Sequence, residues 1–174
     1  MSAVAAVVLS MPKHDLARFC LVHGAELQTA LIKSDDGFGK PIDAPLLLWA
    51  MAGRESSFGK NLKPRHEPAY DIGGKYADTK ALKRCGSAYA CSYGPLQIMA
   101  CNALDVTLDE LASEPEKAMK ASVDRLRMWV IGRQKADTIE EICDAWNTGN
   151  FRDRIVPHEY IAEVRHYYIT EVIG

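Results

Sequence analysis

Residues 46–55 read Leu-Leu-Leu-Trp-Ala-Met-Ala-Gly-Arg-Glu. This segment is apolar almost all round a helical turn, which predicts a helix buried at the centre of a domain. Pro45 precedes it and suits the first turn of a helix, because the N–H that proline lacks has no partner there. The helix ends in Glu55, so the sequence places a carboxyl group against packed apolar side chains.

Glu55 is the first candidate for chemistry. Burial disfavours the charged form of a carboxyl group, so we expect its pKa to be raised. A carboxylic acid that stays protonated near neutral pH is what a glycosidase needs to protonate a leaving-group oxygen. The alternative is structural: Glu55 pairs with Arg54 or Arg65, or it lies on a solvated last turn.

The composition bounds the class of protein. The chain has 174 residues, with 21 Lys and Arg against 23 Asp and Glu, and a formal net charge of −2. This length predicts one domain over residues 1–174, with residues 1–12 as a loose N-terminal arm. The charge balance gives no basic footprint for nucleic acid, and no apolar run reaches the roughly 18 residues of a membrane span. We therefore expect no nucleic-acid partner, no membrane span and a monomer.

Targeting, metal and redox signals are weak. The apolar residues 3–9 are short for a signal peptide and lack a basic segment before them. No Cys-x-x-Cys pair is present, and His158-Glu159 lacks the second histidine of a zinc-binding helix. We therefore expect no metal site and no cofactor. A disulfide between Cys85 and Cys91 stays open as a possibility.

Helical periodicity accounts for most of the remaining chain. Residues 59–93 contain no convincing helix, and residues 70–76 predict a small hairpin with Gly-Gly at its turn. Gly94-Pro95 then predicts the start of the next helix. The other helices are predicted over residues 13–32, from capping boxes at Thr107/Glu110, Ser113/Glu116 and Thr138/Glu141, and over residues 158–172. The predicted fold is mainly α, or α+β with a minor β region around residues 60–93.

Three further segments carry residue types that suit a sugar-binding cleft. Gln97, in residues 93–99, offers both a donor and an acceptor. Trp146, in residues 144–149, places an aromatic ring at a helix end before a glycine. Tyr160 lies near the start of the last helix. Alone, each has a structural alternative: a turn and helix start for Gln97, a capped helix end for Trp146 and a core aromatic for Tyr160.

Taken in order, the motifs resemble the soluble lytic transglycosylase family and goose-type lysozyme, which share a fold. The motifs are Glu55-Ser-Ser-Phe after an apolar helix, Gly94-x-x-Gln-x-Met99, Ala145-x-Asn-x-Gly149 and Tyr160-x-x-x-Val164. Arg65-His-Glu-Pro68 also resembles a segment of phage-encoded members, in the manner of an endolysin. The resemblance covers roughly residues 45–170 and implies a lysozyme-like fold.

The resemblance implies a peptidoglycan-degrading enzyme. The family cleaves the β-1,4 bond between N-acetylmuramic acid and N-acetylglucosamine, in the periplasm or the extracellular cell wall. Transglycosylases then close O6 of the muramic residue onto C1, which gives a 1,6-anhydro sugar without water. Because we read no secretion signal, such an enzyme reaches the wall by holin-assisted release, with a virion or by another route, or its leader has been removed.

Residue roles follow from the resemblance position by position. Glu55 is the implied general acid and later the base. The implied substrate-binding residues are Ser56, Gln97, Met99, Ala145, Trp146, Asn147 and Tyr160. Two motifs depart from the family pattern: Pro95-Leu96 stand where Leu-Met is usual, and Trp146 stands in place of a tyrosine.

Two alternatives to a transglycosylase remain open. A goose-type-like inverting lysozyme needs a second carboxylate, roughly 6.5–9.5 Å from the acid, to activate water. Asp71 is the preferred candidate, followed by Asp78 and then Glu67, although Asp residues commonly serve turns. The other alternative is a non-catalytic glycan-binding relative in which Glu55 is a relic.

Overall fold

The computed structural model describes residues 7–71, 73–74, 86–103, 105–152 and 156–171. The described chain is mainly helical and carries one small antiparallel sheet, which confirms the predicted class. The α-helices are α1 (Lys13–Gln28), α2 (Ala44–Ser56), α3 (Leu108–Ser113), α4 (Pro115–Arg125), α5 (Ile139–Thr148) and α6 (His158–Thr170), and the strands are β1 (Arg65–His66), β2 (Cys91–Tyr93) and β3 (Ile98–Met99). Short 3-10 helices span Pro68–Tyr70, Gly86–Ala90 and Ala100–Asn102, and α4 continues as a π-helical segment over Leu126–Arg133.

Helix α2 is the central helix of the fold. Asp43 caps its start by accepting a hydrogen bond from the backbone N–H of Leu46 at 2.9 Å. The helix packs against both α1 and α6. Trp49 and Met51 are fully buried within it. The prediction of a central buried helix that carries Glu55 in its last turn is therefore confirmed.

The C-terminal end of α2 turns sharply, and this turn positions Glu55. Ser57 and Phe58 adopt positive φ angles of 51° and 57°, which few non-glycine residues do. The Phe58 ring lies against Trp49, with 5.2 Å between ring centroids. Gly53 permits this, because a Cβ there would stand 2.6 Å from the Phe58 ring. The turn is thus held by packing rather than by a flexible glycine.

The sheet has the order β1-β2-β3 and is antiparallel throughout. Arg65 pairs with Ser92, and Ser92 pairs with Met99 on its other side. Residues 94–97 form the turn between β2 and β3, with positive φ at Gly94 (76°) and Gln97 (49°). The predicted helix start at Gly94-Pro95 is therefore wrong, because left-handed residues at both ends reverse the chain.

The predicted hairpin over residues 70–76 falls partly outside the described residues, which include 70, 71, 73 and 74 of that stretch. A 3-10 helix at Pro68–Tyr70 leads into it. The hairpin that the structure describes is β2–β3, further along the chain. Cys85 also lies outside the described residues, and with it the question of a Cys85–Cys91 disulfide.

The three predicted capping boxes have different outcomes in the structure. Thr107 and Glu110 form a complete capping box at α3, as predicted. At α5 only half of the predicted box forms: the Thr138 hydroxyl accepts from the N–H of Glu141, whereas the Glu141 carboxylate accepts from the N–H of Asp137. The box expected at Ser113 is wrong: α4 begins at Pro115, and the Ser113 hydroxyl donates to the backbone of its own helix. Proline at the first turn supplies the helix start instead.

Leu9 and Met11, in the described part of the N-terminal arm, make backbone hydrogen bonds to the segment that follows α2. The backbone N–H of Leu62 donates to the carbonyl of Leu9 at 2.9 Å, and that of Met11 donates to the carbonyl of Gly59 at 2.9 Å. These bonds hold residues 9–11 beside the end of α2. Over the residues that the structure describes, we find no helix with the length and hydropathy to cross a membrane.

Candidate functional site

A cleft of about 360 Å³ opens beside the end of α2. Its walls come from β1 and the 3-10 helix that follows it, from β3, from α4 with its π-helical extension, and from the end of α5. Its lining includes Glu55, Arg65, Glu67, Met99, Arg125, Trp129, Trp146 and Asn147. A second cavity of about 200 Å³ also meets Glu55, Arg65 and Gln97. Glu55 therefore lies at a point that both cavities share.

The Glu55 side chain is 5% exposed, and one carboxylate oxygen lies 3.5 Å from Nη1 of Arg65. Burial raises the pKa of this carboxyl group. The positive charge of Arg65 acts in the opposite direction, followed by the Tyr160 hydroxyl and the more distant Arg54. Because burial outweighs these groups, Glu55 takes up a proton more readily than an exposed glutamate. Both the predicted raised pKa and the alternative pairing with Arg65 are present.

Tyr160 lies behind Glu55 rather than in the lining of the cleft. Its side chain is buried, and its hydroxyl makes no hydrogen bond of good geometry within the described residues. The hydroxyl is nevertheless close enough to Glu55 to stabilise the carboxylate. Tyr160 was predicted to close one side of the cleft; the structure instead places it in the core behind Glu55.

The candidate second carboxylates separate clearly. Glu67 lines the cleft and accepts a 2.6 Å hydrogen bond from Nε of Arg65. Asp71, the preferred candidate, lies outside the lining of the cleft as described and contacts His66 at 2.8 Å. Asp78 lies outside the described residues. Of the two candidates that the structure describes, Glu67 lines the cleft together with Glu55 and Asp71 does not.

The side chains of two predicted substrate-binding residues, Ser56 and Gln97, form hydrogen bonds with backbone groups. The buried Ser56 hydroxyl donates to the carbonyl of Ala52 at 3.0 Å and accepts from the N–H of Gly59 at 3.1 Å. Ser56 thus stabilises the end of α2 and lines neither cavity in the described part of the chain. Gln97 does line both cavities, but its amide donates to the carbonyl of Gly94 at 3.0 Å and accepts from Ser92 at 3.0 Å. It therefore holds the β2–β3 turn.

The end of α5 supplies one wall of the cleft, as predicted. Ala145, Trp146 and Asn147 all line it, together with Met99 from β3. Trp146 is half-buried and packs against the core, whereas Asn147 is exposed. Gly149 then ends the helix with a positive φ of 88°. An aromatic ring and an exposed amide at a cleft suit the apolar face and the hydroxyl groups of a sugar.

The sequence analysis did not identify Arg125 and Trp129, which line the cleft from α4 and its π-helical extension. The guanidinium of Arg125 lies 4.4 Å from the Trp129 ring, and that of Arg133 lies 4.5 Å from it. The ring nitrogen of Trp129 is buried, with no hydrogen-bond partner in the described part of the protein. The spacing Arg-x-x-x-Trp-x-x-x-Arg was the available signal, because residues four apart are neighbours on a helix.

Metal-ligating residues do not cluster within the ranges that the structure describes. Comparison with protein-family models, with curated proteins and with solved structures finds no match to this chain. The functional reading therefore depends on the chemistry of the cleft itself.

Replacing Arg65 with Gln is expected to raise the pKa of Glu55. Arg65 is the strongest of the groups that lower this pKa, so its removal leaves burial less opposed. A carboxyl-carbon NMR titration of Glu55 measures the change directly. Arg54→Gln is the matched control, because Arg54 acts more weakly on Glu55 and its guanidinium is held by Glu163 at 2.9 Å. A Glu55 pKa that falls in Arg65→Gln contradicts this account.

Proposed function

We propose that this protein cleaves the glycan strands of peptidoglycan as a lytic transglycosylase, with Glu55 as the general acid and base. The observation that carries the proposal is the placement of Glu55. Its carboxyl group is nearly fully buried, has a raised pKa and borders both cavities. The order of motifs that resembles the family adds to this, since Glu55, Gln97, Met99 and Asn147 all line one cleft.

The cleft has the features of a glycan site rather than a nucleotide or metal site. The rings of Trp129 and Trp146 provide apolar surface, and the exposed Asn147 provides an amide that hydrogen-bonds to acetamido or hydroxyl groups. Glu55 lies where the main cleft meets the second cavity. A strand that runs through both spaces places a glycosidic oxygen at the acid. We propose a lysozyme-like fold on the same grounds.

The proposed reaction uses one carboxyl group twice. Protonated Glu55 gives its proton to the glycosidic oxygen as the bond from C1 of the muramic residue breaks. The resulting carboxylate then takes the proton from O6 as that oxygen bonds to C1. The products are a free C4 hydroxyl on the departing N-acetylglucosamine and a 1,6-anhydro sugar, with no water consumed. The substrate's own acetamido group, which the resemblance implies, stabilises C1 between the two steps.

An inverting lysozyme is the second candidate, and the position of Glu67 favours it. A second carboxylate in the cleft is what activation of water requires. Glu67 is, however, bound to Nε of Arg65 at 2.6 Å, which occupies one of its oxygens. The transglycosylase therefore remains the preferred proposal, acting at the cell wall in the periplasm or outside the cell.

Mass spectrometry of the fragments released from purified peptidoglycan tests the proposal. We expect products that end in 1,6-anhydro-muramic acid. Reducing-end products, heavier by one water, indicate the lysozyme instead. Strands that bind but are never cleaved leave the glycan-binding relative.

Glu67→Gln separates the two enzymatic mechanisms further. In a transglycosylase we expect it to lower the rate by less than about 10-fold, whereas loss of a catalytic base costs about 10²- to 10⁴-fold. Asp71→Asn is the matched control, since Asp71 is a carboxylate on the same segment that faces His66. A large loss in Glu67→Gln together with anhydro products contradicts the single-carboxylate mechanism.

A further inference from the structure

Arg125 ends α4 and lines the wall of the cleft that α4 and the π-helical segment form. Its guanidinium stacks on Trp129, 4.4 Å from the ring centroid, and this contact holds it beside the cleft. Tyr70 and Asn102 line the same cleft. The arginine is half-buried, so part of its hydration has already been removed.

The two guanidinium groups in the described lining, Arg125 and Arg65, differ in whether a carboxylate lies beside them. Arg65 lies 3.5 Å from Glu55 and 2.6 Å from Glu67, so it forms ion pairs with both carboxylates of the described lining. Arg125 forms no ion pair with a carboxylate within the described ranges, and no Asp or Glu is among the groups that act on its pKa. Burial lowers that pKa, yet a guanidinium remains charged in proteins. Among the described residues, the cleft therefore presents a cation, Arg125, that no carboxylate neutralises.

We propose that Arg125 is a specificity-determining residue that binds a carboxylate of the peptidoglycan strand, an inference that rests on the proposed function. A guanidinium binds a carboxylate through two parallel N–H···O hydrogen bonds, and such pairs are among the stronger ones in proteins. Here the partly desolvated cation is already held in place by Trp129, so less conformational entropy is lost on binding.

Peptidoglycan offers this chemistry from two sources. Stem peptides carry free carboxylates, and a muramic residue without a stem carries the carboxylate of its lactyl group. A chitin strand has N-acetylated sugars and the same β-1,4 linkage but no carboxylate. Arg125 therefore favours muramic-acid strands over neutral chitin, through one of these two groups.

Calorimetric binding in a Glu55→Gln background tests the proposal without turnover. The probes are soluble strands of equal length: peptidoglycan strands with stem peptides, the same strands after amidase treatment, and a chitin oligosaccharide. We expect Arg125→Gln to weaken binding of a carboxylate-bearing strand by about 10- to 100-fold and to leave binding of the chitin oligosaccharide unchanged. A loss confined to peptide-bearing strands assigns the carboxylate to the stem, and one confined to treated strands assigns it to the lactyl group.

Arg133→Gln is the matched control. Arg133 also stacks on Trp129, at 4.5 Å, but it is exposed and lies outside the lining of the cleft as described. Arg125→Lys keeps the charge without the planar fork, and we expect an intermediate loss. Equal losses for all three strands, or an equal loss in Arg133→Gln, overturn the proposal and leave Arg125 as a support for Trp129. A parent protein that binds none of the strands overturns the proposed function, and this inference with it.

Discussion

Replacing Glu55 with Gln is expected to lower the rate of glycan cleavage by at least about 10³-fold, because proton transfer from a positioned acid contributes about 10²- to 10⁴-fold and the same carboxyl group acts twice here. Glutamine keeps the size of the side chain and its place at the end of α2. It has no proton to give to the glycosidic oxygen and no charge with which to take one from O6. Release of soluble fragments from labelled peptidoglycan measures the loss.

Stability distinguishes a catalytic role from a structural one in the same variant. The folded-state pKa of Glu55 is raised above its unfolded value of about 4.3. At a pH between these two pKa values, the folded protein therefore binds more protons than the unfolded chain. The free energy of unfolding therefore falls as pH rises through this window and levels off above it. Glu55→Gln has no such loss, and we expect it to be at least as stable as the wild type at pH 7, with the difference vanishing below about pH 4.

Glu159→Gln is the matched control for activity, since Glu159 is an exposed carboxylate next to Tyr160 on α6. It is expected to leave the rate of glycan cleavage unchanged. A Glu55→Gln variant that retains about a tenth of the wild-type rate contradicts the general-acid role. A variant that loses activity because it is less stable at pH 7 assigns Glu55 to the fold instead.

The sequence predicts the parts of the fold that depend on local chemistry. Helix α2 is predictable because its apolar run, its proline and its terminal carboxylate all lie within a dozen residues. The turn after Gly94 is not, since Gly-Pro suits a helix start and a chain reversal equally well. Pairing with β1 decides between them, and β1 lies some 25 residues earlier in the chain.

In the candidate site, too, the sequence predicts what depends on local chemistry and not what depends on pairing between distant segments. Glu55 and the end of α5 follow from helix ends that the sequence marks with Arg-Glu-Ser and Asn-Thr-Gly. The choice between Glu67 and Asp71 does not follow, because it depends on the strand. Successive residues of an extended segment point to opposite sides: Arg65 and Glu67 meet the cleft, while His66 pairs with Asp71. Trp129 lies in a π-helical segment. The Arg-x-x-x-Trp-x-x-x-Arg spacing indicates that these side chains are neighbours, but it does not indicate that they face a cleft.

Replacing Gly94 with Ala is expected to cost about 2–4 kcal/mol of unfolding free energy, from the left-handed backbone and from overpacking together. Gly94 has a φ of 76°, and a Cβ there would overlap the Cβ of Ala118 on α4. The turn that it begins is closed by the Gln97 amide, which donates to the Gly94 carbonyl at 3.0 Å. Chemical denaturation of the variant measures the loss.

Gly39→Ala separates the two contributions, because Gly39 has the same φ of 76° but nothing among the described residues within 4 Å of an added Cβ. It is expected to cost only about 1 kcal/mol, from the backbone alone. Ala118→Gly in the Gly94→Ala background removes the atom that the new methyl group meets. We expect the double variant to be more stable than the sum of the single changes by about 1–2 kcal/mol, since residues in direct contact couple. Additive losses contradict close packing of the β2–β3 turn on α4, and with it the rigid placement of Gln97 beside Glu55.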